Sequence, residues 1–211
     1  MEPTNYKVYH NFLDQNETFQ IVDWVSGLDF KKTKPNHHLD EISQSLNGGS
    51  EVFDISQTTL TNYITQFQSI SDVVKTGVPD FVHTIRARIS DQLSIPTDHS
   101  FLQAVDMYKG GHIQKHYDAA IDGYINYKCN ISVLAEPYDF CIGEDTLTVQ
   151  QGDLYCFEAS LYKHWTPNPF NSRRVMLSFG FLLPYHIMGR DENDTRVRLS
   201  RRIEKYFQQN Q

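Results

Sequence analysis

The sequence predicts a mostly β chain with supporting α-helices, built as a sandwich or barrel. Three observations carry this. Apolar residues recur at helical spacing before residue 100. After it, short apolar or alternating runs recur at 101–108, 112–118, 124–135, 146–149, 153–157 and 174–183. Turn residues separate those runs: Gly110-Gly111, Asp122-Gly123, Pro137, Gly143, Gln151-Gly152 and Pro167-Asn168-Pro169. No linker divides the two halves. The reading is therefore one domain over 1–211, with a helical N-terminal region over 1–100, a β core over about 101–184 and a charged tail over 190–211.

The elements follow in order. Residues 6–12 alternate apolar and polar as a short strand does. Asp14 and Glu17 have capping-box spacing, and Phe19, Val22 and Val25, with Ile21 and Trp24, give an amphipathic helix over 15–26. Residues 30–55 are polar and rich in Gly, Asn and Ser, hence a long loop with room for a strand near 51–54. A helix is expected over 57–68. Pro79 suits the first turn of another helix. In it Phe81, Val82, Ile85, Ile89 and Leu93 form one apolar stripe to about residue 94. The tail, with Arg190, Arg196, Arg198, Arg201, Arg202 and Lys205, reads as a solvated terminal helix.

Composition narrows the function classes. At 39% hydrophobic, 21% charged and 13% aromatic, the 211 residues are globular in character. The net charge of −7 repels phosphate backbones and anionic lipid, which argues against a nucleic-acid partner. No apolar run reaches the roughly 18 residues that span a bilayer. Cys129, Cys141 and Cys156 cannot all pair with each other and form no C-x-x-C, which suits a reducing compartment. The opening MEPTNYKVYH carries no basic-then-apolar segment. A cytoplasmic enzyme is expected.

Nine histidines direct attention to metal chemistry. On a strand, residues i and i+2 point the same way, so His-x-Asp can offer an imidazole and a carboxylate to one ion. The pattern is cheap and occurs twice. His38-Leu39-Asp40 lies in the polar loop and reads as solvated surface. His116-Tyr117-Asp118 closes an alternating stretch inside the β half. His164 follows the run Gln151-Gly152-Asp153-Leu154-Tyr155-Cys156-Phe157 and can supply a third ligand, or be a satisfied half-buried histidine. Two histidines and one carboxylate make the facial triad of non-haem Fe(II) oxygenases, which leaves coordination positions open. Arg173 and Arg174 then open the apolar run Val175–Leu183. A guanidinium at the mouth of an apolar interior needs an anion, and its fork suits a carboxylate. Neighbours on a strand face opposite ways, so one of the two arginines is an exposed residue.

These residues, in order, resemble the Fe(II)/2-oxoglutarate-dependent dioxygenase superfamily, in its prolyl-4-hydroxylase-like branch. The resemblance covers about 101–184, and more loosely Val8–Asp14. It rests on Tyr108-Lys109-Gly110, His116-Tyr117-Asp118, Gly152-Asp153-Leu154-Tyr155-Cys156-Phe157, His164 and Arg174. It implies a double-stranded β-helix (jelly roll, cupin-like). It implies His116, Asp118 and His164 as ligands of Fe(II), and Arg174 on the distal carboxylate of 2-oxoglutarate. Arg174 is favoured over Arg173 because it leads to Phe179 and Phe181 in the spacing R-x-x-x-x-F-x-F. Tyr108 either lines the cosubstrate pocket or packs inside the barrel. Where the family carries Gly-Gly-x-Thr-x-Phe, the stretch Tyr138–Asp145 has one glycine. A carboxylate at position 118, rather than Ala or Gly, implies an oxygenase and not a halogenase.

The implied reaction hydroxylates a C–H bond of an amino acid, peptidyl residue or small metabolite. It consumes O2 and converts 2-oxoglutarate to succinate and CO2. Loop 30–50 and the segment 119–128 are expected to act as lids. The competing expectations are a cupin-like metalloprotein using the same triad without 2-oxoglutarate, which the arginine after His164 argues against, and a non-catalytic β-sandwich with structural histidines.

Overall fold

The computed structural model describes residues 6–28, 66–69, 78–97, 100–107, 109, 113, 115–118 and 123–198, with only the backbone of 66–69 and of Phe101. Among the described residues the order is β1 (Tyr6–Tyr9), α1 (Gln15–Ser26), β2 (Gln66–Ser69), α2 (Asp80–Leu93), β3 (Ser100–Met107), β4 (Tyr124–Leu134), β5 (Tyr138–Ile142), β6 (Asp145–Val149), β7 (Leu154–Glu158), β8 (His164–Trp165), β9 (Arg174–Pro184) and a 3-10 turn over Tyr185–Met188. All strand pairs are antiparallel. The major sheet has the order β1-β7-β4-β9-β3-β2, and the minor sheet β6-β5-β8.

Local chemistry sets the helix ends. Asp14 accepts from the Glu17 backbone at 2.8 Å while Glu17 accepts from the Asp14 backbone at 3.1 Å, so two otherwise orphaned donors at the start of α1 are satisfied. Pro79 is the N-cap of α2, and Ser94 ends it in the left-handed region. The two helices bury Ile21 and Val25, and Val82, Ile85 and Ile89, in one cluster. Val175, Leu177, Phe179, Phe181 and Leu183 from β9 and Cys129, Ile131 and Val133 from β4 complete it. Each such side chain contributes about 1.5–3 kcal/mol by leaving water.

The alternate residues of the major sheet turn to its other face. There Tyr155 and Phe157 pack with Phe140, Ile142, Leu147 and Val149 of the minor sheet. Val105, Met107, Phe170 and Met176 form a smaller cluster. The site lies on this inner face. The Gly152-Asp153-Leu154 turn ties the N-terminus to it. Buried Asp153 accepts from the Gln150 and Asn11 backbones, at 2.9 and 3.3 Å, and contacts His10 Nδ1 at 3.1 Å. Gly152 has a φ of +84°, and a Cβ there would sit 3.3 Å from the Leu13 carbonyl.

Several expectations need correction. Residues 66–68, expected to end a helix, lie in β2, where pairing with β3 from Gln66↔Asp106 to Ser69↔Gln103 overrides local periodicity; 57–65 and loop 30–50 fall outside the described residues. The run 112–118 forms no named strand, and His116 makes an isolated bridge instead. Tyr124–Lys128 belongs to β4 rather than to a lid, and 119–122 are outside the described residues. The stretch Tyr138–Ile142, outside the expected β runs, forms β5 and turns at Gly143 into β6. The tail is not simply solvated. Val197 is fully buried, Arg190 pairs bidentately with buried Glu158 at 2.6 and 3.2 Å, and Arg196 stacks on Tyr162 at 4.1 Å. Residues from 199 on are outside the described set. No helix among the described residues is long and apolar enough to cross a membrane.

Candidate metal centre

Backbone pairing builds the centre. His116 and His164 exchange both backbone hydrogen bonds, at 3.2 and 2.9 Å, and the Asp118 amide donates to the Ala159 carbonyl at 3.0 Å. Ile113 and Thr166 extend the pairing, at 3.0 Å between backbones and 2.8 Å to the Thr166 hydroxyl. The imidazoles of His116 and His164 are thereby brought together, with centroids 4.2 Å apart and planes tilted by 57°. Asp118 Oδ1 lies 3.3 Å from His116 Nε2 and 3.6 Å from His164 Nε2. One donor atom from each residue falls within 4.8 Å of the others, a separation that one ion can bridge.

His164 is almost fully buried, packed against Phe157 at 4.8 Å and Phe140 at 6.1 Å. Its Nδ1 lies 3.2 Å from the Tyr162 carbonyl, which can only accept, so Nδ1 carries the proton and Nε2 presents its lone pair to the centre. Burial first, then the neighbouring His116, drive its pKa down to about 3 against the pull of Asp118. The ring is a neutral ligand across the physiological range. Burial would raise the Asp118 carboxyl, but Lys128 and the two imidazoles outweigh it, and the group sits well below the usual carboxylate range. Lys128 Nζ is 2.8 Å from Asp118 Oδ2.

Arg174 has no exposed surface, yet it has no carboxylate partner among the described residues. Its guanidinium lies over the rings of Tyr138 and Phe170, 4.6 and 4.8 Å from their centroids, and the two rings meet edge to face at 5.2 Å. Nη2 donates to the Tyr138 hydroxyl at 2.7 Å and the Tyr155 hydroxyl at 3.1 Å, and also meets Met176 Sδ. Nε and Nη1 have no partner. Burial keeps the Tyr155 hydroxyl protonated by pushing its pKa up. The guanidinium borders a cavity of about 190 Å³ with Tyr138, Phe170 and Pro167. None of the triad lines that cavity. What joins the triad to Arg174 is a row of inward residues on two paired strands. On β4 these are Lys128, Asn130 and Ser132; on β9 they are Ser178, Met176 and Arg174, with Asn130 opposite Ser178 and Ser132 opposite Met176. Asn130 Oδ1, Ser132 Oγ and Ser178 Oγ are buried without a partner. The two arginine nitrogens and the two serine hydroxyls are donors along one track that a polar, anionic ligand would satisfy.

Arg173 faces the other way, held by Asp106 at 2.8 Å through two nitrogens and by Ser26 at 2.9 Å. Tyr108 and His38 lie outside the described residues. Sequence reasoning missed Lys128, Tyr138 and Tyr155. The period-two alternation of β7, which turns Tyr155 inward with Phe157, was the available signal for Tyr155.

No protein-family model matches the chain. No curated protein matches it in sequence. Solved structures do match it in fold. A prolyl-4-hydroxylase from Pseudomonas putida aligns with a TM-score of 0.51 at 13% identity, over 84% of this chain and 92% of that one. The viral collagen prolyl hydroxylase of Paramecium bursaria Chlorella virus-1, in its 2-oxoglutarate complex, aligns at 0.52 and 10%, over 86% and 98%. HygX from Streptomyces hygroscopicus, with nickel, 2-oxoglutarate and hygromycin B bound, aligns at 0.53 and 10%, over 85% and 83%. The chain has the double-stranded β-helix fold of the 2-oxoglutarate-dependent oxygenases, and it carries a His-Asp-His cluster inside it.

Proposed function

We propose that this protein is an Fe(II)- and 2-oxoglutarate-dependent oxygenase that hydroxylates a C–H bond of an amino acid, peptidyl residue or small metabolite. The observation that carries the reading is the pairing of the compact His116-Asp118-His164 cluster with a buried, partly unsatisfied Arg174 in this fold. The donor set fits iron: two imidazoles and one carboxylate suit Fe(II) and leave positions free. The track to Arg174 fits 2-oxoglutarate, whose distal carboxylate would take the free Nε and Nη1. With these groups bound, the chemistry supplied is consumption of O2, conversion of 2-oxoglutarate to succinate and CO2, and hydroxylation of the substrate.

The chain's own residues do the rest. His116 Nε2, His164 Nε2 and Asp118 Oδ1 hold the metal. Tyr162 orients His164 through its carbonyl. Contacts with the Tyr138 and Phe170 rings and hydrogen bonds to two tyrosine hydroxyls hold Arg174 in place, so little rotamer entropy is lost when the anion arrives. The Tyr138 and Tyr155 hydroxyls flank the same guanidinium and can turn a donor to the carboxylate. Phe140 and Phe157 keep water from the His164 side. The cupin-like reading without 2-oxoglutarate leaves the buried guanidinium unexplained.

The test is binding. Metal-stripped protein should take up one Fe(II) or Co(II), and His116→Ala or Asp118→Ala should lose it. Equal metal affinity in either variant would sink the assignment.

A further inference from the structure

The two oxygens of Asp118 have different neighbours. Oδ1 faces His116 and His164, whereas Oδ2 lies 2.8 Å from Lys128 Nζ. The lysine is itself held. It is only 12% exposed and donates to Gln103 Oε1 on β3 at 3.1 Å. It comes from the inner row of β4, where the residue opposite on the intervening strand β9 is Gly180. With no side chain at Gly180, the lysine stem has room to cross β9 towards Gln103, which pairs with Ser178 on the far side.

We infer that Lys128 is a positioning residue for the metal carboxylate. Resting on the reading of the triad as an Fe(II) site, the inference is that the ammonium sits on Oδ2, confines Asp118 to one-oxygen ligation through Oδ1, and so leaves free the position that the cosubstrate requires. A free carboxylate can chelate with both oxygens, which would fill a coordination position the cosubstrate requires. Groups that hold a ligating residue in this way change metal affinity or activity by about 10–100-fold when removed.

Metal-stripped wild type, Lys128→Met, Lys128→Arg and Arg174→Met are titrated anaerobically with Co(II), reading the visible absorption bands, and then with 2-oxoglutarate at saturating Co(II). The inference expects an altered Co(II) spectrum in Lys128→Met before any cosubstrate is added. It also expects 2-oxoglutarate affinity reduced at least tenfold, and both effects largely reversed in Lys128→Arg. Arg174→Met should weaken 2-oxoglutarate while leaving the Co(II) spectrum that of wild type. A Lys128→Met protein with the wild-type spectrum and an affinity within twofold overturns the role of Lys128 alone. Wild type that takes up no Co(II) overturns the metal-site reading, and the inference with it. If circular dichroism shows that Lys128→Met does not fold, the Co(II)-loaded wild-type crystal structure decides. Ligation by Oδ1 alone, with Lys128 on Oδ2, supports the inference, and two-oxygen ligation refutes it.

Discussion

Replacing Arg174 with Met separates binding from folding. Arg174 is a fully buried cation with no carboxylate partner among the described residues and with two unpaired nitrogens. An uncompensated buried charge adds little to stability, and an apolar side chain of similar length is often neutral or stabilising in its place. The metal-free variant should therefore keep wild-type stability within about 1 kcal/mol. Cosubstrate binding should not survive. Two charge-assisted hydrogen bonds to one carboxylate are each worth about 1.5–3 kcal/mol. Losing both costs about 3–6 kcal/mol, and at about 1.4 kcal/mol per decade even the lower value weakens binding at least about 100-fold. The assay is thermal denaturation with Co(II), with and without 2-oxoglutarate, under argon. At about 100 times its Kd a ligand adds about 2.7 kcal/mol, which for a chain of this size raises Tm by about 5–10 °C. Wild type should show that rise and Arg174→Met none at the same concentration. Arg173→Ala should shift like wild type, because Asp106 and Ser26 hold Arg173 outside the inner face. An equal shift in Arg174→Met, or its loss in Arg173→Ala, would refute the reasoning.

Other outcomes follow from the same geometry. Asp153→Ala removes the acceptor of two backbone donors and the partner of His10, so it should cost about 2–4 kcal/mol in urea denaturation while leaving Co(II) affinity unchanged. Arg190→Ala leaves Glu158 as a buried unpaired carboxylate at the end of the strand leading to His164, so it should lower stability by about 3 kcal/mol and weaken Co(II) binding severalfold, measured on the same samples. Metal-free protein should lose stability on acidification. His164 stays neutral when folded down to about pH 3, whereas the unfolded chain takes up its proton near 6.5. The unfolded state thus binds more protons between these values, and this one group makes stability fall by up to about 1.4 kcal/mol per pH unit there and leaves it flat above 6.5. His164→Gln should flatten that window in equilibrium denaturation, and an unchanged slope would contradict the cause.

The elements of the fold that can be read in the sequence are those set by local chemistry. Asp14 and Glu17 start α1 because capping is a contact between residues three apart. The α2 stripe buries Val82, Ile85 and Ile89 because helical spacing puts them on one face. The β9 run reads as a strand because apolar and aromatic residues cover it, and its alternation separates Arg174 inside from Arg173 outside. Strand β2 escapes local reading because its pairing with β3 is non-local. Strand β5 is five residues long with Asp139 exposed, and β8 is two residues long, so neither shows a sustained alternation. At the centre, the order His116, Asp118, His164, Arg174 is visible as a pattern of residue types. Lys128 is not, because its meeting with Asp118 and Gln103 depends on three strands and on the missing side chain at Gly180.

The most direct measurement of the central claim is succinate formed from 2-oxoglutarate under air with Fe(II), alone and with a panel of amino acids, peptides and small metabolites. Wild type should form succinate and CO2 in equal amounts, stimulated by a true substrate, and Asp118→Ala none. Protein that binds Fe(II) and 2-oxoglutarate yet forms no succinate with any member of the panel, or an Asp118→Ala variant that forms it at the wild-type rate, would contradict that claim.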